Sequence, residues 1–355
     1  FYSRRIGIND GERIPIWGGA RLVGRFDKWD VGVMSMQSRK ADEFASENFG
    51  VFRVRKNVFN QRSYIGGMLT TRIGADGHNN FAYGIDGIIN VFKQDYLQVN
   101  LAQTQDTEDA SGIKGMDRSR IYLMWEKRII NGFGYRFSYS NVGEEYNPGL
   151  GFERRKNFSQ IGDKIFYSWF APNNSRLRQT TISFDANVSF NNTSNKLETS
   201  RLSLEGEWEW ERGTNLEVEV EKFRDVVPES FDLSDDITIV PGDYANTSFE
   251  VGFETPSINL ATINTSLKIG SFYGGDLLSA SVSPGIIFSK YFSISGFYQY
   301  NRINFPDLNE TFNAHVARLN MRASLNVKLS MTAFAQVNSL DKISALNFRL
   351  RYNPV

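Results

Sequence analysis

The chain has 355 residues, with 40 basic and 40 acidic side chains and no cysteine. Balanced charge argues against a nucleic-acid partner, and the lack of cysteine excludes disulfides, cysteine metal ligands and a thiol nucleophile. The chain combines 28 Phe and 15 Tyr with a negative mean hydropathy. That combination is typical of strands that present one face to lipid and the other to water.

The N-terminal segment, residues 1–17, is expected to fold inward, because Arg4 and Arg5 would be costly facing lipid. These two arginines are therefore candidates for a small constriction. The first strand is predicted around Ala20, and the short turn Asp27-Lys28 follows it. From this point on, no run approaches the roughly 18 apolar residues that a transmembrane helix requires.

Alternation of apolar and polar residues dominates the rest of the chain, whereas helical spacing fits almost nowhere. In the clearest run, Leu204 and Trp208 lie on an apolar face, and Glu205 and Glu207 lie on a polar one. We count about nineteen such runs, mostly of the length that a tilted membrane-spanning strand needs. The clearest examples are residues 81–91, 182–190, 201–211, 216–221, 319–328 and 346–352.

The predicted links between these strands differ in length at the two rims. The odd-to-even links are short, as at 27–28, 60–62, 93–95, 213–214 and 328–329. The even-to-odd links are mostly long: 38–48, 106–117, 143–160, 226–245 and 302–312. Two even-to-odd links, near 274–275 and 341–342, are short exceptions. Short periplasmic turns and longer extracellular loops are typical of an outer-membrane barrel.

The fold prediction is an all-β protein, an antiparallel transmembrane β-barrel of about 18 to 20 strands in a Gram-negative outer membrane. Residues 1–355 are expected to form a single barrel domain in contact with outer-membrane lipid. The alternative is a large soluble β-sandwich or β-solenoid, which also shows alternation. Strand length argues against it, because soluble strands peak near five or six residues.

The polar faces would line the lumen, and their charges are the candidate functional residues. The predicted acidic stripe consists of Glu205, Glu207, Glu209, Glu211, Glu217, Glu219 and Glu221. The predicted basic wall consists of Arg21, Arg25, Arg53, Arg55, Arg318, Arg322, Lys328, Arg349 and Arg351. Closure of a barrel joins its first and last strands, so the basic groups should become neighbours, with the acidic stripe across the lumen.

Two interpretations of these charges remain open. Opposed walls could create a transverse field that selects polar or zwitterionic solutes, or the charges could pair with plug or loop residues that fill the lumen. Catalysis is poorly supported, because the two histidines, His78 and His315, belong to no recognisable set of catalytic side chains. We expect no catalytic residues, no metal site and no cofactor.

Several motifs resemble an uncharacterised family of Gram-negative outer-membrane β-barrels. They are Phe1-Tyr2-Ser3-Arg4-Arg5-Ile6-Gly7, Ile14-Pro15-Ile16, residues 18–25, residues 147–155, Pro241-Gly242-Asp243-Tyr244 and residues 347–353. In that family the barrel usually follows an N-terminal domain resembling family 9 carbohydrate-binding modules. The resemblance implies such a partner domain in the full-length protein, a glycan ligand and no established catalytic residues. It also implies a last strand beyond residue 355.

The function predicted from these features is passage through the outer membrane of polar solutes, oligosaccharides among them, or of a polypeptide. A first alternative is a non-conducting membrane anchor for the carbohydrate-binding domain. A second is an outer-membrane glycan hydrolase with its site in the long loops. An enzymatic role is not expected, because a hydrolase activity would belong to the N-terminal domain.

Overall fold

The computed structural model describes most of the chain. The described residues are 3, 5–9, 11–41, 44–107, 115–173, 175–256, 258, 260–340 and 343–353. Their secondary structure is almost entirely extended, apart from one 3-10 helix at Gly115–Arg118. No helix among them is long and apolar enough to cross a membrane.

The described strands number twenty-three in chain order. They are β1 (Ile8–Asn9), β2 (Glu12–Arg13), β3 (Ile16–Phe26), β4 (Trp29–Ser38), β5 (Glu47–Asn57), β6 (Tyr64–Gly74), β7 (Asn79–Phe92), β8 (Asp95–Asp106), β9 (Ser119–Lys127), β10 (Gly132–Val142), β11 (Phe158–Phe170), β12 (Leu177–Asn191), β13 (Leu197–Trp210), β14 (Asn215–Val227), β15 (Phe231–Ser234), β16 (Ile237–Ile239), β17 (Gly242–Glu254), β18 (Ala261–Phe272), β19 (Gly275–Ser289), β20 (Phe292–Phe305), β21 (Glu310–Ser324), β22 (Leu329–Asn338) and β23 (Ile343–Tyr352).

Nineteen of the described strands form one closed barrel, in the order β3 to β14 followed by β17 to β23. The other four form two small hairpins, β1–β2 and β15–β16. By the density of internal contacts the chain divides into two compact units. The first comprises Phe1–Ile129, Gly134–Lys164 and Asn187–Glu198, and the second comprises Ile130–Phe133, Ile165–Ala186 and Thr199–Val355.

Tight turns join neighbouring strands where the chain supplies residues that tolerate a left-handed backbone. Asp27 has a φ of 49° in the turn between β3 and β4. Tyr273 and Gly274, between β18 and β19, have φ values of 46° and 85°. Two consecutive positive φ values are the requirement of a type I′ hairpin turn, and glycine at the second position meets it without strain. The antiparallel register of each pair follows from these turns.

The side chains on the two faces are distributed in the opposite way to those of a soluble protein. Leu204 is 54% exposed and Ile85 is 59% exposed, whereas the neighbouring Ser203 is only 4% exposed. Large apolar side chains on the outside of a closed barrel mark contact with lipid, and polar side chains fill the inner face. The predicted fold is therefore confirmed: the described strands form an antiparallel β-barrel with the apolar outer face of a transmembrane barrel.

The longest links of each unit lie at the rim predicted to carry long loops, although the links 75–78 and 192–196 at that rim are short. In the first unit, the long links are 39–46, 107–118 and 143–157, and in the second the longest is 228–241. One predicted long link, 302–312, is wrong, because β20 continues to Phe305 and β21 begins at Glu310. The apolar residues at these strand ends extend the pairing, since they are buried beneath the β15–β16 hairpin.

Candidate functional site

The acidic stripe lies on the inner face of β13 and β14 in the second unit. Glu205 stands directly opposite Glu219, and Glu207 stands opposite Glu217. Glu219 is also opposite Glu250 on β17. Like charges directly opposite each other in a sheet are destabilising, so the register requires nearby cations.

Two basic residues that the sequence analysis missed supply part of this compensation. Arg201 contacts Glu219 at 3.0 Å and forms a second ion pair with Glu221. Lys268 lies 3.3 Å from Glu221 and 3.7 Å from Glu250. Arg201 could have been found from its odd-numbered position in β13, which places it on the same face as the glutamates.

Two glutamates of the stripe keep their charge uncompensated. Glu207 accepts a hydrogen bond from the Asn215 side chain at 2.9 Å. Neither Glu207 nor Glu217 forms an ion pair in the part of the chain that the structure describes. Glu209, in contrast, is paired with Arg178 at 2.6 Å. The inner face of this hairpin therefore has an excess of negative charge near Glu207 and Glu217.

Replacing Arg201 tests how much its ion pairs contribute to the stability of the folded barrel. Arg201→Gln is expected to lower the thermal unfolding midpoint, because two partly buried carboxylates lose their common partner. The cost should be about 1 to 3 kcal/mol, after allowance for the exposure of the Arg201 side chain. The unfolding midpoint is measured from the shift in gel mobility as the temperature is raised. An unchanged midpoint would mean that solvent compensates the charge of both carboxylates.

Two residues of the predicted charged walls lie in turns. β13 ends at Trp210, so Glu211 belongs to the turn 211–214 and is exposed. This turn is closed by a hydrogen bond from Gly213 N to Trp210 O at 2.7 Å. β21 ends at Ser324, and Lys328 lies in the turn 325–328. The backbone nitrogen of Lys328 donates a hydrogen bond to the Asn326 side chain in this turn. The placement of Glu211 on a strand was wrong, because the turn ends β13 at Trp210, and Lys328, which borders the predicted link 328–329, was wrongly counted among the strand residues of the basic wall.

The basic residues of the first unit are on the inner face, and most are paired. Asp30 accepts hydrogen bonds from both Arg25 and Arg55, with 2.5 Å contacts to each. Arg53 forms a two-point pair with Asp86 on β7, one contact of which is 2.8 Å. Arg21 stands opposite Met34 and has no ion pair among the described residues. The predicted basic wall contained these arginines without the two aspartates that bind them.

The remaining basic residues share one face of the second unit. Arg318 lies over the Phe297 ring, with 5.0 Å between its guanidinium carbon and the ring centre. Arg322 and Arg349 both stand opposite Thr332, and Arg351 stands opposite Ser330. The strand registers thus bring Arg322 and Arg349 to either side of one residue. Opposition of the basic and acidic walls stays a prediction.

The link 143–157 of the first unit covers part of that unit's inner face. Leu150 is 1% exposed and packs on the inner-face residues Phe49 and Val51. Asn80, which is 3% exposed, donates a hydrogen bond to Asn147 O at 2.9 Å and accepts one from Gly149 N at 2.8 Å. A β carbon on Gly149 would lie 2.5 Å from Asn80 Oδ1, so only glycine fits there. Asn80 therefore clamps the loop to the wall.

Further contacts hold the same loop. Glu153 accepts a hydrogen bond from Arg120 on β9 at 2.8 Å. Thr104 on β8 accepts one from Asn147 N at 3.0 Å. Burial raises the pKa of Tyr146, so this phenol stays neutral. The loop is thus fixed by polar contacts to three successive strands and by one apolar contact.

The N-terminal segment also contacts this loop. The Ser3 hydroxyl donates a hydrogen bond to Leu150 O at 2.7 Å, and Ile6 packs with Phe49 and Val51. Arg5 is exposed, and Arg4 lies outside the described residues. The proposed constriction by Arg4 and Arg5 therefore stays a prediction.

A second link, 228–241, covers part of the inner face of the second unit. It contains the β15–β16 hairpin, whose Ile237 and Ile239 are almost fully buried. These side chains pack against four residues of β20 and β21: Ile303, Phe305, Phe312 and Ala314. The hairpin is therefore held by apolar contact and not by charge.

An aromatic group lies beside this hairpin. The Tyr273 ring contacts Phe231 of β15 edge-on, with ring centres 5.7 Å apart, and also contacts Tyr244 at 5.1 Å. The Tyr273 hydroxyl donates a hydrogen bond to Asp225. Burial, together with this carboxylate, raises the pKa of Tyr273. The phenol thus remains a hydrogen-bond donor over the whole physiological pH range.

The two histidines lie apart in the chain and in different units. His78, in a turn, is 3.6 Å from Asp106. His315, on β21, contacts Tyr298 at 2.9 Å. Among the described residues, no group of three or more His, Asp or Glu side chains could hold a metal ion.

Comparison with known proteins gives similarity to solved structures only. No protein-family model matches the chain, and no curated protein matches it. OccK8 (OprE) of Pseudomonas aeruginosa is 10% identical, with a TM-score of 0.48 over 92% of this chain and 97% of that chain. OprD, an outer membrane protein from Pseudomonas aeruginosa, is 10% identical, with a TM-score of 0.43 over 94% and 91%. OmpT, an outer membrane protein of Vibrio cholerae, is 11% identical, with a TM-score of 0.38 over 96% and 97%.

Proposed function

We propose that the chain is a channel through which small polar solutes cross the outer membrane. The observation that carries this proposal is the lining of the inner faces. Hydrogen-bonding and charged side chains cover them, as in the Arg53–Asp86 pair and the Glu207–Glu217 pair. A barrel of this many strands is wide enough to hold water along such a lining.

We propose further that the stripe favours cationic over anionic solutes. Support comes from the cross-strand pair of Glu207 and Glu217, which has no cation partner among the described residues. A low-dielectric wall focuses the field of such charges into the aqueous path. The paired residues Glu219 and Glu221 contribute less, because Arg201 neutralises part of their charge.

Residues 1–355 are proposed to act as a single barrel domain, which the closed strand order supports. An N-terminal domain related to carbohydrate-binding modules, and a glycan ligand, are proposed from the sequence motifs alone. Such an N-terminal domain would deliver oligosaccharides to the channel, and these would be larger than the small polar solutes proposed above. Passage of a polypeptide requires displacement of the links 143–157 and 228–241, each of which covers part of an inner face.

A non-conducting anchor is the second candidate function. The observation that favours it is the firm attachment of both links to the inner faces of their own units. An anchor needs no aqueous path, and inward loops that never open would close it. Outer-membrane hydrolysis in the long loops has no comparable support, and we assign no catalytic role to this chain.

Conductance in a planar bilayer separates the channel from the anchor and tests the acidic stripe. We expect the wild type to give discrete steps and a cation-favouring reversal potential under a salt gradient. Two charges about 8 Å from a passing cation contribute roughly 1 kcal/mol in water, so Glu207→Gln/Glu217→Gln should lower the permeability ratio about five-fold. Asp27→Asn/Asp307→Asn removes two exposed carboxylates in the short turns 27–28 and 306–309, away from the stripe, and serves as the matched control.

The absence of steps from a folded barrel would leave the anchor as the better account. Steps with the same selectivity in both double variants would refute the role of Glu207 and Glu217 while retaining the channel.

A further inference from the structure

The outer face of β20 and β21 carries a polar and aromatic patch near the end of these strands. Its members are Tyr298, Tyr300, Arg302, Asn313 and His315, here called the rim patch. Arg302 stands directly opposite Asn313, and Tyr300 stands opposite His315, so the register places these side chains on one face. Neither the proposed channel nor the inner-face contacts use them.

Contacts within the rim patch fix its geometry. The His315 and Tyr300 rings are stacked, with centres 4.9 Å apart, and the Tyr298 hydroxyl lies 2.9 Å from His315 Nδ1. The Tyr300 hydroxyl donates a hydrogen bond to Asn313 Oδ1 at 2.8 Å. These contacts use His315 Nδ1 and Asn313 Oδ1. Arg302 is exposed, and its guanidinium has no ion pair in the described part of the chain.

The rim patch lies at the edge of the apolar outer surface. On the side toward the middle of the strands, Tyr298 is 43% exposed, and Val337, opposite Ala317, is also exposed. On the other side, Asn304 is opposite both Asp276 and Thr311, which are polar. On β19 to β21 the apolar outer surface thus ends near Arg302, which stands opposite the exposed Leu278. That is the depth at which lipid headgroups begin.

The links of the second unit indicate which leaflet of the membrane the rim patch faces. The short link 306–309 joins β20 to β21 at the same rim as the long link 228–241. Long links mark the extracellular rim of an outer-membrane barrel. The rim patch therefore faces headgroups of the outer leaflet.

We infer that the rim patch binds the phosphate group of an outer-leaflet lipid headgroup. An arginine directed at lipid is costly unless its charge is neutralised, and a guanidinium fits two phosphate oxygens at once. His315 and Asn313 add donors beside it, and the two tyrosines occupy the interfacial position that such rings prefer. The inference rests on the fold and on this surface, and does not depend on channel function.

Lipid titration of the full chain in mild detergent, followed by native mass spectrometry, tests the inference. The probes are lipid A with two phosphates, the same lipid with its phosphates removed, and inorganic phosphate alone. Arg302→Gln should weaken binding of the phosphorylated lipid about five-fold, as expected for one cation near a headgroup surface. Lys290→Gln, which removes an exposed cation from the turn 290–291 at the other rim, is the control.

Preference of the wild type for the phosphorylated lipid, lost in Arg302→Gln and in His315→Ala but kept in Lys290→Gln, supports the rim patch as the site. Equal binding of the phosphorylated and dephosphorylated lipids would overturn the inference. So would equal weakening by Arg302→Gln and Lys290→Gln. Competition by inorganic phosphate as effective as by the lipid would show a free-anion site, which also contradicts a lipid headgroup as the occupant.

Discussion

Asn80→Ala is expected to release the link 143–157 from the inner face and to raise the single-channel conductance. The substitution removes the donor to Asn147 O and the acceptor of Gly149 N in a site that is almost fully buried. Each buried group left without a partner costs about 1 to 3 kcal/mol, so the attached state loses roughly 2 to 6 kcal/mol. That loss lowers the ratio of attached to released loop at least thirty-fold.

Gly149→Ala tests the same clamp from the other side. An added β carbon would meet Asn80 Oδ1 at 2.5 Å, so the loop must move away from the strand. Gly24→Ala is the matched control, because no atom lies within 4 Å of a β carbon there. Conductance steps of unchanged size in both loop variants, with the barrel still folded, would show that this loop does not limit the path.

Ile239→Ala is expected to detach the β15–β16 hairpin, the second large effect. Ile239 is 3% exposed and belongs to the apolar cluster with Phe305 and Phe312. Truncation of a buried isoleucine to alanine typically costs about 2 to 5 kcal/mol. A hairpin of this size has little stability of its own. We therefore expect rapid proteolytic cleavage within residues 228–241, whereas the barrel strands remain protected.

Val240→Ala is the control for this prediction, because the adjacent Val240 is 59% exposed and lies outside the cluster. Cleavage rates should rise for Ile239→Ala and stay at the wild-type level for Val240→Ala. Equal rates in all three proteins would mean that backbone pairing, and not apolar packing, holds the hairpin.

The barrel could be predicted from sequence because its signal is local and repeated. Leu204 and Glu205 already indicate two faces, and the exposed leucine confirms which one meets lipid. Strand ends were less predictable, since Glu211 and Lys328 continue the alternation in sequence but lie in turns. Phe305 and Phe312 show the converse, because burial beneath a distant hairpin extends their strands.

The charged faces were predicted more fully than the contacts that organise them. The alternation of side chains along a strand places Glu207 and Glu217 on the inner face. Only the register of β13 and β14 shows that they stand opposite each other. Asn80 holds a loop residue 67 positions away, a contact that no local pattern encodes.

Liposome swelling with sugars of graded size tests the central claim, a water-filled path through this barrel, most directly. The purified full chain is reconstituted in liposomes, and its folding is verified by heat-modifiable gel mobility. We expect swelling that is fast for a monosaccharide and falls steadily with increasing sugar size, as a path narrowed by loops requires. Liposomes that contain the folded barrel and swell no faster than empty ones would contradict the channel.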